Sequence, residues 1–581
     1  MQKLSHAIPV LCLILLLCLS FACTEDSKEN PLELSSFKSY AGDRPQLLTK
    51  IRPDFLSEFG RYAHSLDAIS LKSQQTSLKK LATEIEQIGT LTVSVDSVQE
   101  LQLEAERWFV QQKIAGQEFL LYQNPLNPFT GFHSKLMESL KLQLIQNKED
   151  TENYNARLKQ IPWQIQQVAI LLQQRDSAGI YSHPLILAEA EKEIRKFVET
   201  PIDQHFIYRN LAIKLNGVGP TEMNLYEAGD YLETTSINLE KNVIPAYKKL
   251  LELIQELIAR ATSKTSFTSI KQGENYSAYY DWKLNSSSGK EVKAADLFEK
   301  GHHELDSLQQ LLAKIDEQIA KQGIKRKAKE KRKRNRLEQV QIFAARMRKA
   351  REETLSLFDS LPQKSPEIMP LPKQFEQEEP LFYQAPSWDN ARKARIIVNF
   401  ESWDQASIYE QHADLYRKLY PGSHSMQSLS KTQNFLLSAE SFPAWQLGWQ
   451  EYVMRLAQEP LYLFAEKLWT QRDYQAERLK VLLKYLLDIG IHHKGWTTEE
   501  AIDFLKKHQS LSETEIEKAL LETYSEPGRL TASWIGAEAF QKLYKQGLQK
   551  ANGKFNYKTF HQTCFNHGPL PWNLFQRLIG A

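Results

Sequence analysis

Between Asp414 and Gln427 the chain reads DLYRKLYPGSHSMQ, a helix-like run that breaks at Tyr420-Pro421-Gly422 with a His, a Met and a Gln beyond the break. A helix leading into a Pro-Gly turn with histidine nearby looks like the frame of a metal-binding active site. The residues next to the turn, Arg417, Lys418 and Ser423, are the wrong chemistry for it. A zinc enzyme needs three imidazole or carboxylate ligands and one position left open for water. Arg has no lone pair to give and stays protonated at any workable pH. Without a metal, water keeps a pKa of about 16 and is no nucleophile at neutral pH.

Other titratable residues offer little more. His412 and His424 flank the turn twelve residues apart, whereas ligands sharing one helix face stand three or four apart. The adjacent pairs His302-His303 and His492-His493 point about 100° apart on a helix, so neither makes a site alone. Asp488 and His492 are four apart; they either orient a ligand as a hydrogen-bonded pair or pack in the core. No Gly-x-Ser-x-Gly elbow occurs, which leaves serine-nucleophile catalysis little support. Cys12 and Cys18 fall in the leader and Cys23 at its end, so Cys564 is the one thiol left to the folded part, without a partner for a disulfide. With no base beside it, Cys564 reads as buried packing.

The elements that must position these residues are mostly helices. The 581 residues include only 23 Gly and 23 Pro, and the formal net charge of +2 points to no particular partner. The start, MQKLSHAIPVLCLILLLCLSFAC, has a basic residue, an apolar run too short to span a bilayer, and small residues before Cys23, the pattern of a cleaved signal. Residues 1–22 are expected to leave, Cys23 to become the lipidated first residue, and 23–45 to act as a polar tether. Apolar spacing predicts amphipathic helices over 154–174, 243–261 and 297–320, with Pro245 at a helix start or kink and a loop at Ser286–Gly289. The basic run KRKAKEKRKRNR (325–336) lacks the interleaved aromatics of a nucleic-acid binder and reads as a solvated helix end, with anionic lipid or polysaccharide as the functional alternative. Short β-like runs at 381–384 and 395–400 predict a small sheet, whose strand edge could pair with an extended peptide. The expected division is a helical region over 46–362 and a cleft region over 363–581.

Several blocks, in consistent order, resemble the bacterial family called domain of unknown function 885. They are YNARLKQIPWQIQQVAILLQQRDSAGIYSHP, DSLPQKSPEIMPLP, YQAPSWDNARKARIIVN, LLDIGIHHKGWTTEEAIDFL, EPGRLTASWIG and FHQTCFNHGPLPWNLFQRLI. The resemblance implies a mainly α, zincin-like body similar to neurolysin-type peptidases, with a small β-sheet beside the former active-site helix. It also exposes departures. The family's His-Glu-x-x-Pro-Gly-His stands here as Arg417-Lys418-Leu419-Tyr420-Pro421-Gly422-Ser423. The Glu expected as third ligand is Leu447, and a later Tyr is Ser533. Tyr420, His424, Trp449, Tyr452, Asp488, His492 and Trp496 match the family's site blocks; all but Trp496 are candidates for lining a cleft, with core packing as the alternative reading and the preferred one for Trp449 and Trp496.

The implied reading is an exported, lipid-anchored, non-catalytic homologue at the outer membrane, facing the periplasm or the outside. It would hold no zinc or other cofactor, bind no nucleic acid, and keep a cleft for a peptide or protein ligand, with Arg417 and Lys418 supplying the positive charge that zinc would carry. The alternatives are a hydrolase rebuilt from His424, Glu451, Asp488 or His492, and a structural envelope protein with a filled cleft.

Overall fold

The computed structural model describes residues 65–580 apart from 91–96, 264–274, 327–333, 372–379, 388–391, 431–441, 465–466, 510 and 551–554. The signal segment, Cys23, the tether and the middle of the basic run lie outside the described residues. The described chain is almost entirely helical, with one three-stranded sheet. Among the described residues no helix is long and apolar enough to cross a membrane.

The helices that frame the sites are α1 (Leu71–Thr90), α2 (Lys148–Ser177), α3 (Tyr276–Ser288), α4 (Ile408–Lys418), α5 (Ser423–Ser430), α6 (Pro443–Gln458), α7 (Leu468–Ile489), α8 (Glu513–Ser525) and α9 (Arg529–Lys550). The three helices expected from periodicity form, as α2, Ile244–Ser263 and Ala294–Lys321. Helix α2 begins earlier than its apolar pattern because Asn147 caps it, its side chain accepting from the Asp150 N–H at 2.9 Å. Pro245 follows a π turn at Leu239–Val243 that joins two helical runs. A widened turn sits where Pro245 has no N–H to offer the preceding turn.

One expectation fails here. Ser286–Ser288 are the last turn of α3 rather than a loop; only Gly289 leaves the helix, at φ 66°, the left-handed conformation that glycine tolerates best. The described ends of the basic run are mostly exposed, and two of their arginines also pair with the body: Arg326 with Asp473 at 2.9 Å and Arg334 with Asp404 at 3.3 Å.

The sheet comprises β1 (Glu367–Pro370), β2 (Leu381–Gln384) and β3 (Arg395–Val398) in the order β1-β3-β2. Strand β3 runs parallel to β1 and antiparallel to β2. Strand β3 is therefore the central one, with both edges hydrogen-bonded, and the outer edges of the sheet belong to β1 and β2.

Two hydrophobic cores form, and they interleave along the chain. The first draws on Leu66–Leu308 and on Leu479–Ile535; the second draws on Leu101–Phe109 and on Phe343–Phe575. Helices α7 and α9 contribute to both. Helix α9 crosses α6 at a point where backbone meets backbone. A Cβ added to Gly448 would stand 2.5 Å from the Gly536 Cα, and one added to Gly536 would stand 1.8 Å from the Ala444 carbonyl oxygen. Gly448 and Gly536 are thus the contact that lets these helices touch.

Candidate functional site

Helix α4 starts at a capping box: the Ser407 hydroxyl accepts from the Glu410 N–H, and the Glu410 carboxylate accepts from the Ser407 N–H. It carries Arg417 and Lys418 in its last turn and ends at Leu419. The chain then folds back so tightly that a Cβ on Gly422 would lie 2.0 Å from the Arg417 carbonyl oxygen. Only glycine permits that turn. Ser423 opens α5 and donates its hydroxyl to the same carbonyl at 3.2 Å.

Arg417 points into a charged cluster. Its Nη2 donates to Glu451 Oε2 at 3.2 Å and its Nη1 to Glu477 Oε1 at 3.2 Å. Nε lies 3.0 Å from Glu451 Oε1, but off the axis of a hydrogen bond. The Arg417 side chain is 14% exposed. Burial opposes its charge, but Glu451 and Glu477 outweigh burial and hold the guanidinium pKa above its ordinary value. The space left beside the cluster, lined by Tyr409, Tyr474, Arg455, Arg478 and Trp534, is about 10 Å³, about the least that admits one water. Leu447 stands one helical turn before Glu451 on α6, so the two share a face. The carboxylate presented to position 417 comes from 451 and, across the chain, from 477.

These residues do not fit zinc. Two carboxylates are present, no imidazole joins them, and a guanidinium occupies the space between them. Among the described residues no group of three His, Cys, Asp or Glu side chains could hold a metal ion. Lys418 sits half-buried at the helix end, and the Ser533 hydroxyl turns back to the Leu530 carbonyl at 3.1 Å.

The remaining predicted residues fall into two groups. Tyr420, His424, Trp449 and Tyr452 lie together around the turn, each fully buried or nearly so. His424 Nε2 donates to the Lys364 carbonyl at 3.1 Å, and its Nδ1 faces the Tyr383 and Ser428 hydroxyls, each at 3.1 Å. Burial lowers its pKa to about 4, the Lys364 carbonyl opposing. Trp449 Nε1 donates to the Pro421 carbonyl at 2.9 Å, and Tyr452 donates to His561 Nε2 at 2.9 Å. His412 is placed apart from this group, near Glu353, Lys349 and Arg346. Cys564 is buried, as its lack of a neighbouring base suggested.

Asp488 and His492 form the second group. They approach to 3.5 Å, but the shorter bonds of each go elsewhere. His492 Nε2 donates to the Thr523 carbonyl at 2.9 Å and its Nδ1 accepts from the Tyr276 hydroxyl at 2.6 Å. Asp488 accepts from the Gly528 N–H at 3.1 Å and the Thr531 N–H at 3.4 Å. Burial raises the Asp488 pKa to about 7 against the pull of those bonds, and burial lowers that of His492 to about 4. Both are fastenings between helices; Trp496 likewise packs its ring over Gly490, which lies between Asp488 and His492 in sequence.

What sequence reasoning missed lies on the other side of those fastenings. A cavity of about 660 Å³ opens between α1, α2, α3 and the Ser525–Pro527 turn. Tyr276, the partner of His492, is in its wall. Its lining shares no residue with the Arg417 cluster. Its aromatic residues were legible in the sequence one by one, but no local spacing connects Tyr122, Tyr279 and Tyr524.

The sequence pattern of a family described as bacterial protein of unknown function (DUF885) matches residues 53–579. The fold resembles the crystal structure of a predicted lipoprotein from Colwellia psychrerythraea, at 16% identity, over 94% of this chain and 99% of that one, with a TM-score of 0.83. It also resembles a predicted lipoprotein of unknown function from Shewanella oneidensis, at 15% identity, over 94% of this chain and all of that one, with a TM-score of 0.70. No curated protein matches the chain.

Proposed function

Since the chain belongs to the bacterial DUF885 family, we propose that it is an exported, lipid-anchored member that binds a peptide or protein without hydrolysing it. In this reading its helical body is zincin-like, and the metal position of that body is held by an ion-pair cluster. The observation that carries the reading is the Arg417 guanidinium seated between Glu451 and Glu477 in a space of about 10 Å³. A guanidinium supplies positive charge but cannot lower the pKa of a water molecule as a coordinated metal does. A rebuilt hydrolase is disfavoured by its own candidates, since both ring nitrogens of His424 and of His492 already face protein groups.

Export and anchoring rest on the leader pattern and Cys23, and the two similar structures, both described as lipoproteins, support them. Placement at the outer membrane follows from the absence of Asp after Cys23, where Thr24 stands. Elemental analysis of the dialysed protein, paired with a peptide-hydrolysis screen with and without chelator, tests the reading. It expects no stoichiometric zinc and no chelator-sensitive turnover. Near-stoichiometric zinc that survives dialysis would sink it.

A further inference from the structure

We propose that the 660 Å³ cavity is the ligand site, and that it takes a short peptide carrying a free carboxylate and an apolar or aromatic side chain. Arg175 would receive the carboxylate and Glu526 a peptide N–H. This rests on the binding reading above and names the site and the ligand class for it.

The volume falls within the several-hundred-Å³ range of ligand pockets, which pair apolar walls with a few placed polar groups. The walls are fixed before any ligand arrives. Tyr122 stacks on Tyr279 with ring centres 4.9 Å apart, and Trp282 is pinned by its Nε1 donating to the Gln112 carbonyl at 2.9 Å. Across the cavity Tyr524 stacks on His183 at 3.6 Å and anchors its hydroxyl to Thr498 at 2.9 Å. Rings held in this way offer apolar area at little entropic cost on binding.

The polar groups are placed as well. Arg175 is 3% exposed and donates one Nη1 hydrogen bond to the Leu121 carbonyl, while its buried Nε has no partner. The sealed Nε is closed to a ligand, so an acceptor would meet the guanidinium from its cavity side, and a carboxylate makes the strongest hydrogen bond there. Burial has already pulled its pKa down to about 10. Glu526 is aimed by the Asn127 and Thr130 side chains, which both donate to its Oε1 at 2.5 Å; Oε2 has only Arg529, at 3.9 Å. The lining carries Lys113, Lys135, Arg175 and Lys283 against Asp67 and Glu526, an excess of positive charge. A polyphosphate would satisfy the cations but would meet Glu526. A neutral saccharide would stack on the rings but leave Arg175 as it is. A peptide with one carboxylate and N–H donors matches both.

Titration calorimetry on the mature protein tests this with the tripeptide Ala-Ala-Phe as free acid, the same peptide C-terminally amidated, and a neutral oligosaccharide. The free acid is expected to bind, and amidation to weaken it at least about tenfold, the scale of a lost charged hydrogen bond. Gln123→Trp, at an exposed residue of the lining, should abolish binding while leaving the circular dichroism and melting temperature unchanged. Equal binding of the amide, binding of the saccharide alone, no peptide binding, or undiminished binding by Gln123→Trp would each overturn the proposal. Chelator-sensitive cleavage of a bound peptide would instead overturn the non-catalytic reading and leave this site standing.

Discussion

Arg417 shows how a residue can close off a chemistry and become structurally necessary. Its single charge is shared between two carboxylates in a nearly filled space. Removing one partner of a buried pair leaves the other charges uncompensated, at about 3–5 kcal/mol. Arg417→Met is therefore expected to lower stability by roughly that amount in denaturant titration. Adding Glu451→Gln and Glu477→Gln to it should recover a large part of the loss, and no recovery would mean that the cluster is not electrostatically coupled. Asp488 gives a pH signature. Its folded pKa of about 7 lies above the unfolded value of 3.8, so its protonated form stabilises the fold at acid pH. That contribution is lost as pH rises from about 4 to about 7, on the order of 4 kcal/mol in all. Asp488→Asn lacks this titration. Its melting temperature relative to the parent should rise across that window and level off above pH 8; a flat difference would show that Asp488 is ionised throughout. Arg417 was legible in the sequence as a departure from a ligand, but its partner Glu477 was not. Sixty residues separate the two, and no local pattern marks a contact made only by the packing of α4 against α7.

At the scale of elements, periodicity and capping carried the reading a long way. Helices α2, Ile244–Ser263 and Ala294–Lys321 and strands β2 and β3 form where apolar spacing places them, because burial on one face dictates that spacing. Strand β1 was hidden by its own composition: EIMP ends in proline, which suits only an edge strand. The Ser-rich end of α3 was misread because serine favours turns in isolation, whereas here tertiary contacts extend the helix to Gly289. The α6–α9 crossing is the element-scale feature most sensitive to change. Gly536→Ala would drive a methyl group into the Ala444 carbonyl, and helix axes must separate to accept it. A loss of about 3 kcal/mol or more is expected, read as a fall in denaturation midpoint with the slope unchanged. A loss below about 0.5 kcal/mol would mean that the crossing relaxes freely.

At the scale of the molecule, the two interleaved cores decide what can fold alone. A fragment spanning 46–362 contains most of the first core but lacks Leu479–Ile535, which completes it. It is expected to show helical circular dichroism without a cooperative melt, while the full chain melts cooperatively; a sharp transition in the fragment would show a self-sufficient domain. The mainly helical class with a small sheet was readable from composition and periodicity. The 660 Å³ cavity was not, because its walls come from segments near residues 122, 279 and 524 that only the closed fold brings together.

The same interleaving sets an order of events during synthesis. A chain emerges from its N-terminus, and whatever lacks its partners must wait with apolar surface uncovered. Here Leu66–Leu308 waits for helices α7 to α9, and so remains incomplete until residue 535 and beyond have been delivered. Crossing a membrane requires a chain that has not yet closed. On the exported reading proposed above, a first half whose core is completed only by the last quarter is expected to stay threadable until synthesis is nearly complete.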